Sequence, residues 1–411
     1  MDDMLIGRRI REAREALGLG QEGLAEPVGV ARTALSAIEN GKRQVTALEL
    51  LRFSEALSRP LDFFLRPHEA GTFDFQPLLR VSPVVDQRQG IERRRGRPPK
   101  TDARGAVRQA LVRFEELCRM YLELEEINGL PVTPLPKYPF EPGRFMFREA
   151  DRLAELMRTE LGLGPTLPAT QLRELLEERL AIKTFVLRAS GTLSGACIYN
   201  ERVGGCVLVI VKTIPHMLFT LAHELAHLLV HRETPMVDED LFVKAPKEQF
   251  ANAFAASLVM PRTGVQELFW SIYRSRNELT DVDVIHLARH FGVSFNAMLS
   301  RLQGLRLIAP GSREGLLEAY TAARTGPDRR AEEVGLPEAA ARWWAPLPER
   351  YVFLAVRAYR RQEISIGRLA EIVCDADGRP RSIEQAQAFL ERYQAPAGGD
   401  EPSGSEAGGE G

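Results

Sequence analysis

The sequence has 411 residues, of which 44% are hydrophobic and 27% charged, with 54 Lys and Arg against 56 Asp and Glu. That length implies about two to four domains, and the composition is that of an ordinary soluble globular protein. A net charge of −2 excludes any argument for nucleic-acid binding from overall charge, so such an argument must be local. Cys118, Cys197, Cys206 and Cys374 lie far apart with no CxxC pair, which excludes a disulfide framework and a cysteine-rich zinc module. The charged N-terminus has no signal-peptide core, and the apolar run Cys206 to Val211 falls far short of the ~20 residues of a membrane span. A cytoplasmic protein with no membrane partner is expected. The fold class expected is multidomain and mainly α.

Residues 1–66 read as a five-helix module. Ile6, Ile10, Ala13 and Leu17 recur at helical spacing, and Gly18-Leu19-Gly20 closes that helix. Gln21 to Val28 predicts a second helix, interrupted by Pro27. Arg32 to Glu39 predicts a third, closed by Asn40-Gly41. Thr46 to Leu57 predicts a fourth, stopped at Arg59-Pro60. The Gln21 amide can meet a phosphate. Arg32, Thr33 and Ser36 face outward from helix three while Val30, Leu35 and Ile38 face inward, and the early residues of such a helix reach base edges. Asn40, Lys42 and Arg43 suit backbone contacts that position rather than specify. Ten basic and ten acidic side chains in this stretch leave a protein-interaction module as the alternative. The run I-G-R-R-I-R-E-A-R-E-A-L-G-L-G-Q-E-G-L-A-E-P-V-G-V-A-R-T-A-L-S-A-I-E-N-G-K-R resembles the XRE (Cro/C1-type) helix-turn-helix family.

Residues 67–145 read as a basic, proline-rich linker followed by a helix from about 106 to 126. From Arg88 to Arg113 nine Lys and Arg face two acids, a local +7. Within it, residues 93–100 resemble an AT-hook, in which Arg95 and Arg97 would enter a narrow minor groove. A solvated basic linker is the equal alternative. Residues 146–265 read as an α+β, zincin-like domain. Two helices (about 148–161 and 169–180) precede three β-rich runs, Ala181–Leu187, Leu193–Tyr199 and Cys206–Val211. A helix over about 215–230 and another over about 247–259 follow. Residues 266–308 form a helical extension with helix-turn-helix spacing, suited to DNA or to packing. Residues 309–394 read as a helical C-terminal region, and 395–411 as a disordered tail.

The strongest chemical signal is His223-Glu224-Leu225-Ala226-His227, H-E-x-x-H on an apolar helix. Four residues are slightly more than one turn, so both imidazoles lie on one face, about 6 Å apart. That spacing suits two ligands of one Zn2+, and the Glu224 carboxylate can take a proton from a water there. Glu248 and Asn252, again four apart, could complete the ligand set and orient a ligand histidine. His231 continues the face but is too far along the helix to join the same metal. It reads as structural or supporting, with a substrate-facing role as the alternative. Histidines at chance spacing remain the bland reading of the whole pattern.

T-L-A-H-E-L-A-H-L-L-V-H followed by E-x-x-A-N-x-F-A-x-x-L-V-M-P resembles the ImmA/IrrE family of bacterial zinc metallopeptidases over about residues 148–308. The resemblance implies His223, His227 and Glu248 as zinc ligands and Glu224 as catalytic acid/base. It also implies cleavage of a helix-turn-helix repressor or antitoxin-like protein, derepressing stress-response or mobile-element genes. The strand Cys206–Val211 could pair with an extended substrate. Double-stranded DNA is the other expected partner, and pairing on two-fold operators makes a homodimer the default expectation. The alternative function is a transcription factor whose zinc domain is a non-proteolytic sensor or structural core.

Overall fold

A computed structural model describes residues 3–16, 19–57, 61–65, 103–143, 145–189, 193–232, 236–238, 245–276, 278–309, 311–325, 345–375 and 379–393. The AT-hook-like stretch, most of the basic linker and the expected tail lie outside these described residues.

The helical spacing of Ile6, Ile10 and Ala13 becomes α1 (Asp3–Ala16), which meets α2 (Gln21–Val28), α3 (Arg32–Glu39), α4 (Ala47–Ala56) and α5 (Leu61–Leu65). Leu24, Val28, Leu35, Ile38, Phe53 and Phe64 fill the core between them. Gly7 permits the crossing of α1 over α3, since a Cβ there would lie 2.0 Å from the Ile38 carbonyl oxygen. Pro27 falls in the last turn of α2, which ends two residues later at Gly29 with φ 74°. Thr46 and Glu49 form a reciprocal capping box at the start of α4. One buried cluster ties the first three helices. Arg14 donates to both Glu39 oxygens at 2.5 and 3.0 Å, and Gln21 Nε2 donates to Glu39 Oε2 at 2.9 Å.

The rest is organised by a sheet of β1 (Lys183–Leu187), β2 (Gly195–Asn200), β3 (Gly204–Ile210) and β4 (Met236–Asp238), in the order β1-β3-β2-β4. β1 runs parallel to β3, and β2 runs antiparallel to both β3 and β4. β3 is buried at every residue, as expected of a strand covered on both faces. Val186, Cys197, Val207 and Val209 point to one face. That face packs against α7 (Met146–Glu160), α8 (Leu172–Leu180), α9 (Ile214–Val230) and α10 (Pro246–Val259). The same core continues into α11 (Arg262–Arg276), α12 (Asp281–Phe291), α13 (Phe295–Gly304) and α14 (Ser312–Thr325). Leu287, Ala288, Val293, Leu299, Leu302 and Leu305, which carry the helix-turn-helix spacing of α12 and α13, are all buried in it, so that spacing serves packing.

The opposite face, with Phe185, Leu187, Ala196, Ile198, Leu208 and Ile210, is covered by α6 (Ala103–Ile127) and α15 (Glu349–Arg360). α16 (Ile366–Ile372) and α17 (Ile383–Arg392) extend this second layer. Phe185 sits among three rings, with centroids 6.1 Å from Phe114, 6.2 Å from Tyr121 and 5.9 Å from Tyr351. Buried Lys183 donates to the Val203 carbonyl at 2.6 Å and pairs with Glu125 at 3.1 Å. α6 and α15 to α17 thus share a core with the sheet rather than forming separate appendages. Two further expectations are corrected. The sheet has a fourth strand, and β3 is an interior strand whose two edges are filled, so it cannot pair with a substrate. Among the described residues, no helix is long and apolar enough to cross a membrane.

Candidate metal centre

α9 starts after extended Thr213 with Pro215 in its first turn, and its apolar residues on every side bury it between β2, β3 and α10. His223, Glu224 and His227 are at most 1% exposed. The two Nε2 atoms converge to 3.0 Å. Glu248, in the first turn of α10, brings Oε2 to 3.1 Å from His223 Nε2 and 3.6 Å from His227 Nε2. Phe250, Ala251, Phe254 and Ala255 bury the inner face of α10 and so aim Glu248 at α9.

The outer nitrogens are held as well. Asn252 Oδ1 lies 3.1 Å from His223 Nδ1. An amide oxygen only accepts, so Nδ1 carries the proton and Nε2 turns a lone pair to the centre. His227 Nδ1 lies 2.9 Å from Nδ1 of His231, whose ring meets Phe140 edge-on at 4.5 Å. Two imidazole nitrogens and one carboxylate oxygen form a donor set that suits zinc. Tetrahedral bonds of ~2.0–2.1 Å would put donor atoms about 3.3 Å apart, and the three observed separations bracket that value.

Burial opposes ionisation of Glu248, but the His223 and His227 rings beside it outweigh that and hold the carboxyl well below the usual range. Burial pushes the His227 pKa down, against the pull of Glu248. Burial, with His227 and Lys247 nearby, pushes His231 down to about 3. His227 and His231 are therefore neutral near pH 7, the form in which an imidazole binds metal.

Glu224 lies beside the start of β2. A Cβ on Gly195 would come 2.8 Å from Glu224 Oε1 and 2.7 Å from Thr220 Cγ2, so glycine makes the room this carboxylate occupies. Sequence reasoning missed Gly195, although a glycine opening an apolar strand is a signal of close approach. Along the outer edge of β2, Gly195, Ala196 and Cys197 pair with Asp238, Val237 and Met236 of β4. β4 thus covers the sheet edge nearest Glu224. His216 is half-buried in the first turn of α9, its pKa lowered by burial and by Lys212.

In the N-terminal module, Arg32 and Thr33 are exposed at the start of α3, with Ser36 half-buried one turn on. Asn40 and Lys42 are exposed, and Asn40 Nδ2 donates to the Ser36 carbonyl at 2.7 Å. Arg43 is half-buried and donates to Glu49 at 2.7 Å. Gln21 is drawn toward Glu39 rather than standing clear of the surface. Arg95 and Arg97 lie outside the described residues.

Comparison with known proteins agrees with this division. The helix-turn-helix family matches residues 10–64, and the IrrE N-terminal-like domain of the Peptidase M78 family matches residues 199–303. An uncharacterized transcriptional regulator in the ATPase CF(0) region of Rhodospirillum rubrum is 36% identical over 69 residues, 17% of this chain and 64% of that protein. The HTH-type transcriptional regulator PrpR of Mycobacterium tuberculosis is 25% identical over 330 residues, 73% of this chain and 63% of that protein. The chain thus spans less than two thirds of either relative. An uncharacterized HTH-type transcriptional regulator of Methanothermobacter thermautotrophicus is 46% identical over 50 residues, 12% of this chain and 72% of that protein. With its N-terminal helices matched in this way and its H-E-x-x-H helix inside the second match, the chain belongs to the helix-turn-helix family of transcriptional regulators and carries an IrrE-like domain in the same polypeptide.

Proposed function

We propose that the chain is a DNA-binding regulator whose IrrE-like domain is a zinc-dependent endopeptidase. Its substrate is a protein partner, a helix-turn-helix repressor or antitoxin-like protein whose cleavage derepresses stress-response or mobile-element genes. The observation that carries this reading is the convergence of His223 Nε2, His227 Nε2 and a Glu248 carboxylate oxygen, all within 4.8 Å of one another, beside buried Glu224. His223, His227 and Glu248 would hold the zinc, which when bound supplies Lewis acidity to the scissile carbonyl and to water. Glu224 takes a proton from the attacking water and delivers it to the leaving amide nitrogen. Gly195 keeps space for that carboxylate, and Asn252 orients His223.

In the N-terminal module, Arg32, Thr33 and Ser36 would read bases in the major groove of double-stranded DNA. Gln21, Asn40, Lys42 and Arg43 would contact phosphates, and Arg95 and Arg97 would add salt-sensitive affinity. The working form is a cytoplasmic homodimer on a two-fold operator. Metal content is the first test. About one zinc per chain, lost in His223→Ala, is expected, and no uptake by a folded protein refutes the centre. Zinc-loaded wild type should then cut its repressor while Glu224→Gln does not. Absence of cleavage refutes the peptidase reading.

A second reading, a regulator whose zinc domain senses or stabilises without proteolysis, draws support from β4 covering the β2 edge beside Glu224. In that case Glu224→Gln leaves gene regulation unchanged.

A further inference from the structure

His231 stands at the end of α9, one turn beyond His227, and its backbone N–H closes that turn on the His227 carbonyl at 2.8 Å. It is 4% exposed and wedged between Phe140, edge-on at 4.5 Å, and Phe250, at 5.8 Å. An apolar residue would suit those surroundings better. The His231 Nε2 atom is buried with no hydrogen-bond partner among the described residues, a cost that phenylalanine or leucine would avoid. What the imidazole provides is its other nitrogen, 2.9 Å from His227 Nδ1.

Two imidazoles that meet through Nδ1 in a hydrogen bond must divide the roles of donor and acceptor. The choice is decided on the far side of His227. Its Nε2 points to His223 Nε2 and the Glu248 carboxylate, where only a lone pair can serve a cation. The single proton of His227 therefore sits on Nδ1 and is donated to His231 Nδ1, while His231 keeps its own proton on Nε2. We propose that His231 is a positioning residue of the metal centre, an acceptor that fixes the tautomer and ring angle of His227 as Asn252 does for His223. One amide oxygen and one imidazole nitrogen then replace the carboxylates that often support metal-bound histidines, so the support adds no negative charge behind the ligands.

The inference rests on the zinc reading above, and metal affinity rather than cleavage tests it. The full chain, stripped of metal, is titrated with zinc against a chromophoric chelator as wild type, His231→Phe and His231→Gln, and each metal-free protein is melted. His231→Phe keeps the packing and removes the acceptor. It should bind zinc about 10–100-fold more weakly with an unchanged or higher melting temperature. His231→Gln restores an acceptor and should recover most of the affinity. Equal zinc affinity in wild type and His231→Phe overturns the inference while leaving the metal centre standing. Equal weakening in both variants, each with a lowered melting temperature, overturns it in favour of a packing role. No zinc uptake by folded wild type overturns both readings at once.

Discussion

Arg158 offers a quantitative test of how α10 is held. It is 2% exposed, and among the described residues no carboxylate lies within ion-pair distance. Its guanidinium instead binds carbonyl oxygens. Nε donates to Gly164 at 2.8 Å, one terminal nitrogen donates to Leu258 at 2.6 Å, and the other serves Leu167 and, at 3.4 Å, Leu163. The Leu258 carbonyl lies in the last turn of α10, where no helical N–H remains to meet it. Burial lowers the pKa of Arg158 to about 10, still well above neutrality. Hydrogen bonds to a charged group are worth roughly 1.5–3 kcal/mol each, and three are short here. The desolvation of the guanidinium, several kcal/mol, offsets more than half of that sum. Arg158→Met should therefore cost about 2–4 kcal/mol, or a melting temperature roughly 5–15 °C lower. Arg158→Lys, with a point charge in place of a planar fork, should fall between. Urea denaturation of the metal-free protein reads the difference directly. Zinc affinity should change little, because Leu258 lies about 15 Å along the helix axis from Glu248. A loss below about 1 kcal/mol would mean that the orphaned carbonyls find water and that the capping argument is wrong.

Gly195→Ala should preserve zinc content and lower cleavage of the repressor at least about tenfold, by forcing the Glu224 carboxylate off its position. Full activity in that variant would show that Glu224 can work from elsewhere. Phe185→Ala removes the ring at the centre of the second layer and should destabilise by about 3–5 kcal/mol, again read in urea. Metal-free protein should lose stability as the pH falls through 6.5. His231 has a folded pKa of about 3 against 6.5 unfolded, and His227 is shifted the same way. The unfolded chain therefore binds protons that the folded one refuses, at up to about 1.4 kcal/mol per pH unit for each histidine. Glu248, with a depressed pKa, adds a further loss below its unfolded value of 4.5. A midpoint in urea that is flat from pH 7 to 5 would contradict these shifts.

The two helices of the candidate metal centre are the most legible part of the chain. Apolar spacing around H-E-x-x-H predicts a helix over about 215–230, and the structure has one at Ile214–Val230. The i, i+4 relation of Glu248 and Asn252 places both on one face of α10, and both meet His223. Their meeting is tertiary, yet a helix presents so few faces that periodicity nearly determines it. The strands were harder. Cys206 to Val211 is apolar throughout, which is the mark of a strand with both faces covered, and that same mark argues against a free edge for substrate. β4 has three residues and no room for an alternating pattern, so nothing local announces it. The amphipathic spacing of α6 shows a helix but not its neighbour, because Phe114 and Tyr121 find Phe185 and Tyr351 far along the chain. The Gln21 contact with Glu39 spans 18 residues, so nothing local announces it.

The two-sided covering of the sheet sets a timetable for synthesis. Helices α7 to α13, together with the strands, can enclose the front core once residue 304 has been made. The back face carries Phe185, Leu208 and Ile210, and α15 does not arrive until residues 349–360. About 150 residues separate the end of β3 from the end of α15, which at translation rates of 5–20 residues per second is roughly 8–30 s. During that interval an apolar strand surface is only half covered by α6. The order in which the chain emerges thus leaves the back face of the sheet half covered until its last helices are made.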